Sequence, residues 1–175
     1  MTRPIRCMRL AVGAGWLLAA ALTAAAPPAT TVELAPAAAA KMPGYGEEER
    51  AVLSAAIVAA VGRETAGIPA AGGLAIAVTI EDVAPTHPTR EQLANNPAVD
   101  TVRTTFLGGA ELTGEVRDAD QRLVAKVTDR YFARSLELGS RARDPWADAR
   151  LAIDRFALKL ADACRRLPDN PGHGT

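Results

Sequence analysis

The sequence is poor in the side chains that most often carry catalysis and metal binding. It contains two histidines and two cysteines in 175 residues. His87 lies in a proline-containing stretch, where we expect a solvated loop residue, and His173 lies near the C-terminus. A catalytic triad or a transition-metal site needs histidine beside a nucleophile or further ligands. The sequence also contains no G-x-S-x-G, P-loop or H-E-x-x-H motif. We therefore predict a protein that is not an enzyme and that has no metal or cofactor site.

Aromatic residues and net charge are scarce as well. Aromatic residues make up 4 % of the chain and the formal net charge is zero. The core must therefore consist mainly of Leu, Val, Ile and Ala. The first 26 residues contain Arg3, Arg6 and Arg9 and no acidic residue, which leaves 17 basic and 20 acidic residues for the rest. A mildly acidic body argues against nucleic acid as a partner and against adhesion to an anionic membrane through surface charge.

Residues 1–26 have the arrangement of a secretory signal peptide. A basic start precedes the apolar run Leu10–Ala26, which small residues close. The alternative is a retained N-terminal membrane anchor, because Pro27 and Pro28 follow at once and make a poor cleavage context. We expect an exported, periplasmic protein. Cleavage would remove Cys7 and leave Cys164 alone, in an apolar helical stripe where we expect a buried structural side chain.

The rest of the chain alternates between strand and helix signals. Residues 27–46 read as a short strand, Thr31–Leu34, followed by a linker. A helix starts at Glu47, where acidic residues crowd the first turn, and "LAIAVTIEDV" reads as a strand. The segment Ala84–Asp100 reads as a long loop with one helical turn at Thr89–Leu93. A last helix follows Asp144, a natural N-cap, and residues 168–175 read as a frayed tail. The helix is predicted to bury one apolar stripe: Trp146, Ile153, Phe156, Ala157, Leu160 and Cys164.

A hairpin in "GGAELTGEVRDADQRLVAKVTDRYF" is the clearest local pattern. Its large apolar and small residues alternate with polar ones, which predicts a buried face and a wet outer face. We predict that Val102–Leu107 extends the first strand backward, that Gly108 and Gly109 form a bend, and that Leu123 joins the buried face. The outer face holds a predicted interaction surface of two cross-strand pairs: Glu111 with Arg130 and Glu115 with Lys126.

These elements predict an α+β fold. Its economical form is a two-layer sandwich, in which a small, mostly antiparallel sheet packs on two amphipathic helices. The single domain is expected to span residues 47–167.

Three segments of the chain together resemble a known family. They are "LAIAVTIEDV", "GGAELTGEVRDADQRLVAKVTD" and "WADARLAIDRFALKLADA". Over Thr31 to Leu167 the chain is similar to a bacterial domain-of-unknown-function family of exported envelope lipoproteins. The resemblance implies a small α+β domain at the periplasmic side of an envelope membrane, and it implies no reaction. This chain departs from the family because it lacks the lipidation cysteine after the apolar run and a glycine in the hairpin turn.

Two functions remain open at this stage. The first is a non-enzymatic accessory domain that binds another envelope protein or membrane component, through the outer hairpin face and the loop Ala84–Asp100. The alternative is a module that binds a small ligand or lipid in a pocket between sheet and helices, where Ala75, Ala77, Gly114 and Ala125 would leave room. Glu81 with Asp82 is the acidic pair that most merits inspection for a divalent ion.

Overall fold

Four strands form one mixed sheet in the computed structural model, which describes residues 28–68, 71, 73–96, 98, 104–135 and 144–167. The strands are β1 Ala29–Leu34, β2 Ala75–Ala84, β3 Gly109–Arg117 and β4 Leu123–Phe132. They lie side by side in the order β1-β2-β3-β4. The pair β1 and β2 is parallel, and the other two pairs are antiparallel.

Helices cover one face of this sheet. The described helices are α1 Pro36–Tyr45, α2 Glu47–Thr65, α3 Arg90–Asn95 and α4 Ala147–Arg165, of which α3 packs against α1 and the other three against the sheet. The two long helices, α2 and α4, pack against each other and against the sheet. The predicted α+β class and its two-layer arrangement are therefore confirmed.

The core lies between the sheet and the helices. Alternate residues of β2 and β3 point into it, as period-two patterning requires, and α4 contributes a stripe at helical spacing. The predicted inner stripe of the last helix is buried at every position: Trp146, Ile153, Phe156, Ala157, Leu160 and Cys164. The predicted N-cap Asp144 is wrong, because the helix begins at Ala147 with Trp146 as its N-cap. Asp144 lies in the preceding turn, where its Oδ1 accepts a hydrogen bond from the Trp146 amide at 2.9 Å.

The prediction of a linker after β1 is wrong, because the segment forms α1. Pro36 occupies the start of the helix, where its missing amide proton costs nothing, and the alanines that follow are the strongest helix formers. Ala38 and Met42 are buried in the common core. Pro43 and Gly44 are residues typical of a connecting segment. The burial of one face of the helix stabilises it enough to offset their unfavourable helix propensity. The domain therefore includes β1 and α1 and starts well before residue 47.

Two details of the hairpin also differ from expectation. Among the described residues before β3, Thr104–Gly108 have no regular secondary structure, so the strand begins at Gly109. The register shifts between Val116 and Arg117, which sets Leu123 opposite Arg117 on the solvent side and leaves it 49 % exposed. The predicted inward position of Leu123 is wrong, because a bulge breaks the alternation next to the turn.

Close backbone contacts explain the two glycines at the start of β3. A Cβ atom on Gly108 would lie 2.7 Å from the amide nitrogen of Thr86, and one on Gly109 would lie 2.2 Å from the carbonyl oxygen of Tyr131. Only glycine allows the chain to approach β4 and the loop after β2 this closely.

The predicted signal segment, residues 1–26, and the predicted tail, residues 168–175, lie outside the described residues, as do Val102 and Arg103. Within the part of the chain that is described, no helix has the length and hydrophobicity needed to cross a membrane.

Gly109→Ala should lower the free energy of unfolding by about 1–3 kcal/mol, because the new methyl group overlaps the β4 backbone. Gly62→Ala is the matched control, since a Cβ atom in this helical position meets nothing within 4 Å. The control should stabilise the protein by about 0.5–1 kcal/mol through lower unfolded-chain entropy and better helix propensity. Urea titrations of the two variants test this. Equal stabilities would contradict the described approach of β3 to β4.

Candidate interaction surface

The sheet face that points away from the helices is the candidate interaction surface, and we call it the outer face. Side chains from all four strands form it: Thr31, Glu33, Ala75, Ala77, Thr79, Glu111, Thr113, Glu115, Arg117, Lys126, Thr128 and Arg130. Ala77 is exposed although it lies in a central strand. Within the described ranges, therefore, no element covers the middle of this face.

The two predicted cross-strand pairs on the outer face are present. Arg130 is the register partner of Glu111, and its Nε lies 3.1 Å from Glu111 Oε2. Lys126 is the partner of Glu115, with Nζ 3.4 Å from Oε1. The contacts are confirmed, whereas the role of these four residues in binding stays a prediction.

Arg117 adds a contact that the sequence reasoning did not anticipate. Its guanidinium donates a hydrogen bond of 2.8 Å to Glu115 Oε2. This bond, and then the Lys126 ammonium, hold the pKa of the Glu115 carboxyl below its ordinary value. Exposed ion pairs of this kind add little to stability. Their main consequence is a fixed pattern of charge on the outer face.

Threonines separate the charged groups. The register places Thr79, Thr113 and Thr128 side by side across three strands. The hydroxyl oxygens of Thr113 and Thr128 are 3.4 Å apart. Three threonine side chains, which are β-branched and polar, therefore occupy the centre of the outer face, and ionised groups lie on either side of them.

A buried carboxylate under α4 was missed by the sequence reasoning. The side chain of Asp129 on β4 is 5 % exposed, and Lys159 Nζ donates to its Oδ1 at 2.5 Å. Arg155 lies 3.7 Å from the same oxygen and stacks over the Tyr131 ring at 5.0 Å. The other oxygen, Oδ2, has no hydrogen-bond partner in the described part of the chain. The alternation that placed Ala125 and Val127 inward could have identified Asp129, two residues on.

The loop after β2 is anchored at its start. The Thr86 amide donates to the Pro145 carbonyl at 2.6 Å, and its hydroxyl bonds Asp148 Oδ2 at 3.0 Å. The predicted helical turn is α3, and Thr89 with Gln92 forms its capping box. This part of the predicted interaction loop thus has a structural role.

A groove of about 530 Å³ lies between α2 and this loop. Its lining combines carboxylates, a guanidinium, an imidazole and apolar side chains: Glu48, Glu49, Val52, His87, Pro88, Arg90, Leu93 and Pro145. His87 was expected to be solvated, but it is half-buried, with Nδ1 3.4 Å from the Thr104 carbonyl oxygen. The indole of Trp146 donates to Glu49 Oε2 at 2.5 Å beside the groove.

The small residues expected to line a pocket between sheet and helices do not do so together. Ala75 and Ala77 lie on the outer face, whereas Gly114 lies on the inner face. A Cβ atom on Gly114 would be 2.7 Å from Phe156 Cζ. The space that the glycine leaves is filled by the Phe156 ring, so the predicted pocket at these residues is wrong.

Asp82 of the acidic pair forms an ion pair, and the cysteine is buried. Lys41 Nζ bonds Asp82 Oδ1 at 2.5 Å, and this hydrogen bond raises the pKa of Lys41. The described residues contain no group of three or more His, Cys, Asp or Glu placed to hold a metal ion. Cys164 is buried as predicted, and burial raises the pKa of its thiol, which disfavours the reactive thiolate.

Comparisons with known proteins found no match: no family model, no curated protein and no solved structure is significantly similar to this chain. The resemblance to exported envelope lipoproteins therefore stays a prediction.

Arg117→Met should raise the pKa of Glu115 toward its ordinary value, because it removes the first cause of the shift. Carbon-detected NMR titration of the side-chain carboxyls measures this. Because the pKa is lower in the folded state, the stabilisation from this carboxyl is present above the unfolded-state pKa and is lost as the pH falls through the folded-state pKa. Arg122→Met, whose side chain contacts the turn carboxylates of Asp118 and Asp120, should leave Glu115 unchanged. An unshifted Glu115 in Arg117→Met would refute the described contact.

Lys159→Met should lower the free energy of unfolding by about 1–3 kcal/mol, because it leaves a buried carboxylate short of its main donor. The double variant with Asp129→Val should recover part of this loss, since a buried pair can be replaced by apolar groups at little cost. Arg63→Met is the control: its partner Asp154 is exposed, and we expect little change. A double variant no more stable than Lys159→Met would contradict the argument.

Proposed function

We propose that the protein is a non-enzymatic, exported domain of the cell envelope, which binds another envelope protein or membrane component through its outer face. The observation that carries the proposal is the open outer face of a sheet whose other face is fully used for the core. The central Ala77 is exposed, and charged pairs and threonines surround it in fixed register. The signal-like sequence of residues 1–26 supports the cellular location.

The outer face suits protein recognition better than chemistry. Catalytic sites bring polar groups together in a concave, partly desolvated place. Here the carboxylates and cations lie on a flat surface and neutralise each other in exposed pairs. Such an arrangement favours electrostatic selection among partners, because only a surface with complementary charges matches both signs at once.

A second candidate function is binding of a small ligand in the groove beside α2. Its volume of about 530 Å³ falls within the usual range for small-molecule sites. Arg90 and His87 offer hydrogen-bond donors there, while Val52 and Leu93 offer apolar contact. We rank this candidate second because Glu48 and Glu49, in the first turn of α2, would repel an anionic ligand near Arg90.

In-cell photo-cross-linking tests the first proposal. A photo-reactive amino acid at Thr79, in the middle of the outer face, should give a defined covalent adduct with an envelope component. The same amino acid at Val58, which is exposed on α2, is the matched control and should give no such adduct. The charge-swapped variant Glu111→Arg/Arg130→Glu keeps a cross-strand ion pair but exchanges its two charges, and it should weaken the Thr79 adduct.

Mass spectrometry of the recovered protein distinguishes the remaining outcomes. An N-terminal peptide that starts after the apolar run would support cleaved export, and a cytoplasmic location would refute the proposed compartment. Equal adducts from Thr79 and Val58, or an adduct that ignores the charge swap, would refute the outer face as the binding surface. A small molecule retained in the native spectrum, without any Thr79 adduct, would favour the groove.

A further inference from the structure

Strand β4 is a long edge strand. It spans ten residues and pairs with β3 on one side, and within the described ranges no strand pairs with its other side. In an antiparallel strand every second residue directs its amide and carbonyl away from the existing partner. Such an edge can accept a further strand by backbone hydrogen bonding.

Basic side chains border this edge on both faces of the sheet. On the outer face Lys126 and Arg130 have side chains that are 57 % and 67 % exposed. From the helix layer, Arg155 and Lys159 reach β4 and are 42 % and 50 % exposed.

The carboxylates that pair with these four cations lie further from the edge or are buried. The carboxylates that pair with Lys126 and Arg130 belong to β3, one strand away from the edge. Asp129, which pairs with the two α4 cations, is buried. A strand arriving at the edge of β4 therefore meets positive charge first, and electrostatic complementarity selects an acidic one.

A second copy of the chain is disfavoured at this edge in the register that centres on Thr128. A two-fold pairing of β4 with itself centred on Thr128 would place Lys126 opposite Arg130 of the second copy. Like charges directly opposite each other on neighbouring strands are destabilising. Cations along an edge are also a common protection against self-pairing. The same side chains that disfavour a second copy favour an acidic segment.

We propose that β4 binds an extended, acidic segment of a partner protein as a fifth strand. Two acidic side chains four residues apart in that segment would lie opposite Lys126 and Arg130, because strands pair residue by residue and alternate sides. A small or β-branched residue between them would lie opposite Thr128 and continue the threonine row. This inference rests on the proposed function and specifies how the partner is held.

A synthetic peptide provides the probe for the full chain. The nine-residue peptide Thr-Ser-Glu-Val-Thr-Val-Glu-Ser-Thr carries its two acids at the required spacing, and fluorescence anisotropy measures its Kd. Replacement of both Glu by Lys should weaken binding at least about fivefold, since each cross-strand charge pair changes sign. Lys126→Glu/Arg130→Glu should reverse the preference between the two peptides. Circular dichroism checks that this variant is folded.

Backbone methylation separates strand pairing from charge attraction alone. One peptide is N-methylated at its fourth and sixth residues, and another at its third and fifth. In a paired strand only one of these sets directs its amides at β4, so one peptide should lose binding and the other should keep most of it. Equal affinities of the two methylated peptides, no binding of the parent peptide, or a concentration-dependent dimer formed through β4 would overturn the inference. If the Thr79 adduct survives while the peptide fails, the proposed function stands without the strand addition.

Discussion

The close contact between Phe156 and Gly114 determines how the two layers meet. The ring is fully buried, and a Cβ atom on Gly114 would lie 2.7 Å from its Cζ and 3.2 Å from Leu160 Cδ1. A chain with so few aromatic residues gains much of its core volume from this ring. The missing side chain in β3 allows α4 to approach the sheet directly.

The position of α4 then decides the environment of β4. With Phe156 seated on β3, the neighbouring turns of the helix place Arg155 and Lys159 over β4, where Asp129 accepts their charge. The edge strand thus contacts α4 through an ion cluster as well as through the partly buried Ala125, Val127 and Tyr131. A buried ion pair stabilises a fold less than apolar packing of the same volume would. Removal of either partner is costly, however, because it leaves the other charge buried and unpaired. It also leaves cations beside the open edge.

The sequence predicted those features of the fold that depend on period and composition. Alternation identified a strand in "LAIAVTIEDV" and the β3–β4 pairing in the hairpin, and it placed Glu111 and Glu115 on the outer face. Every residue predicted for the apolar stripe of the last helix is buried, because a helix with one buried face repeats its pattern regularly.

The errors have physical causes that a local pattern does not contain. Helix α1 forms because Ala38 and Met42 reach the common core, although Pro43 and Gly44 are typical of a connection. Leu123 is exposed because a register shift next to the turn reverses the alternation. The Asp129 cluster and the groove beside α2 join residues that are distant in sequence, such as Asp129 with Lys159 and Glu49 with Trp146. Only the tertiary arrangement brings these side chains together.

Under the proposed function, the two faces of the sheet divide stability from recognition. Residues that face the helices are constrained by close packing, as Gly114 and Phe156 show, and changes there are felt throughout a densely packed core. Charged residues of the outer face form exposed pairs that contribute little to folding. Substitutions such as Lys126→Glu can therefore alter which partner fits without removing the scaffold that presents the surface. A sheet that uses one face for cohesion and keeps the other open, with an edge bordered by cations, can change its binding specificity independently of its stability.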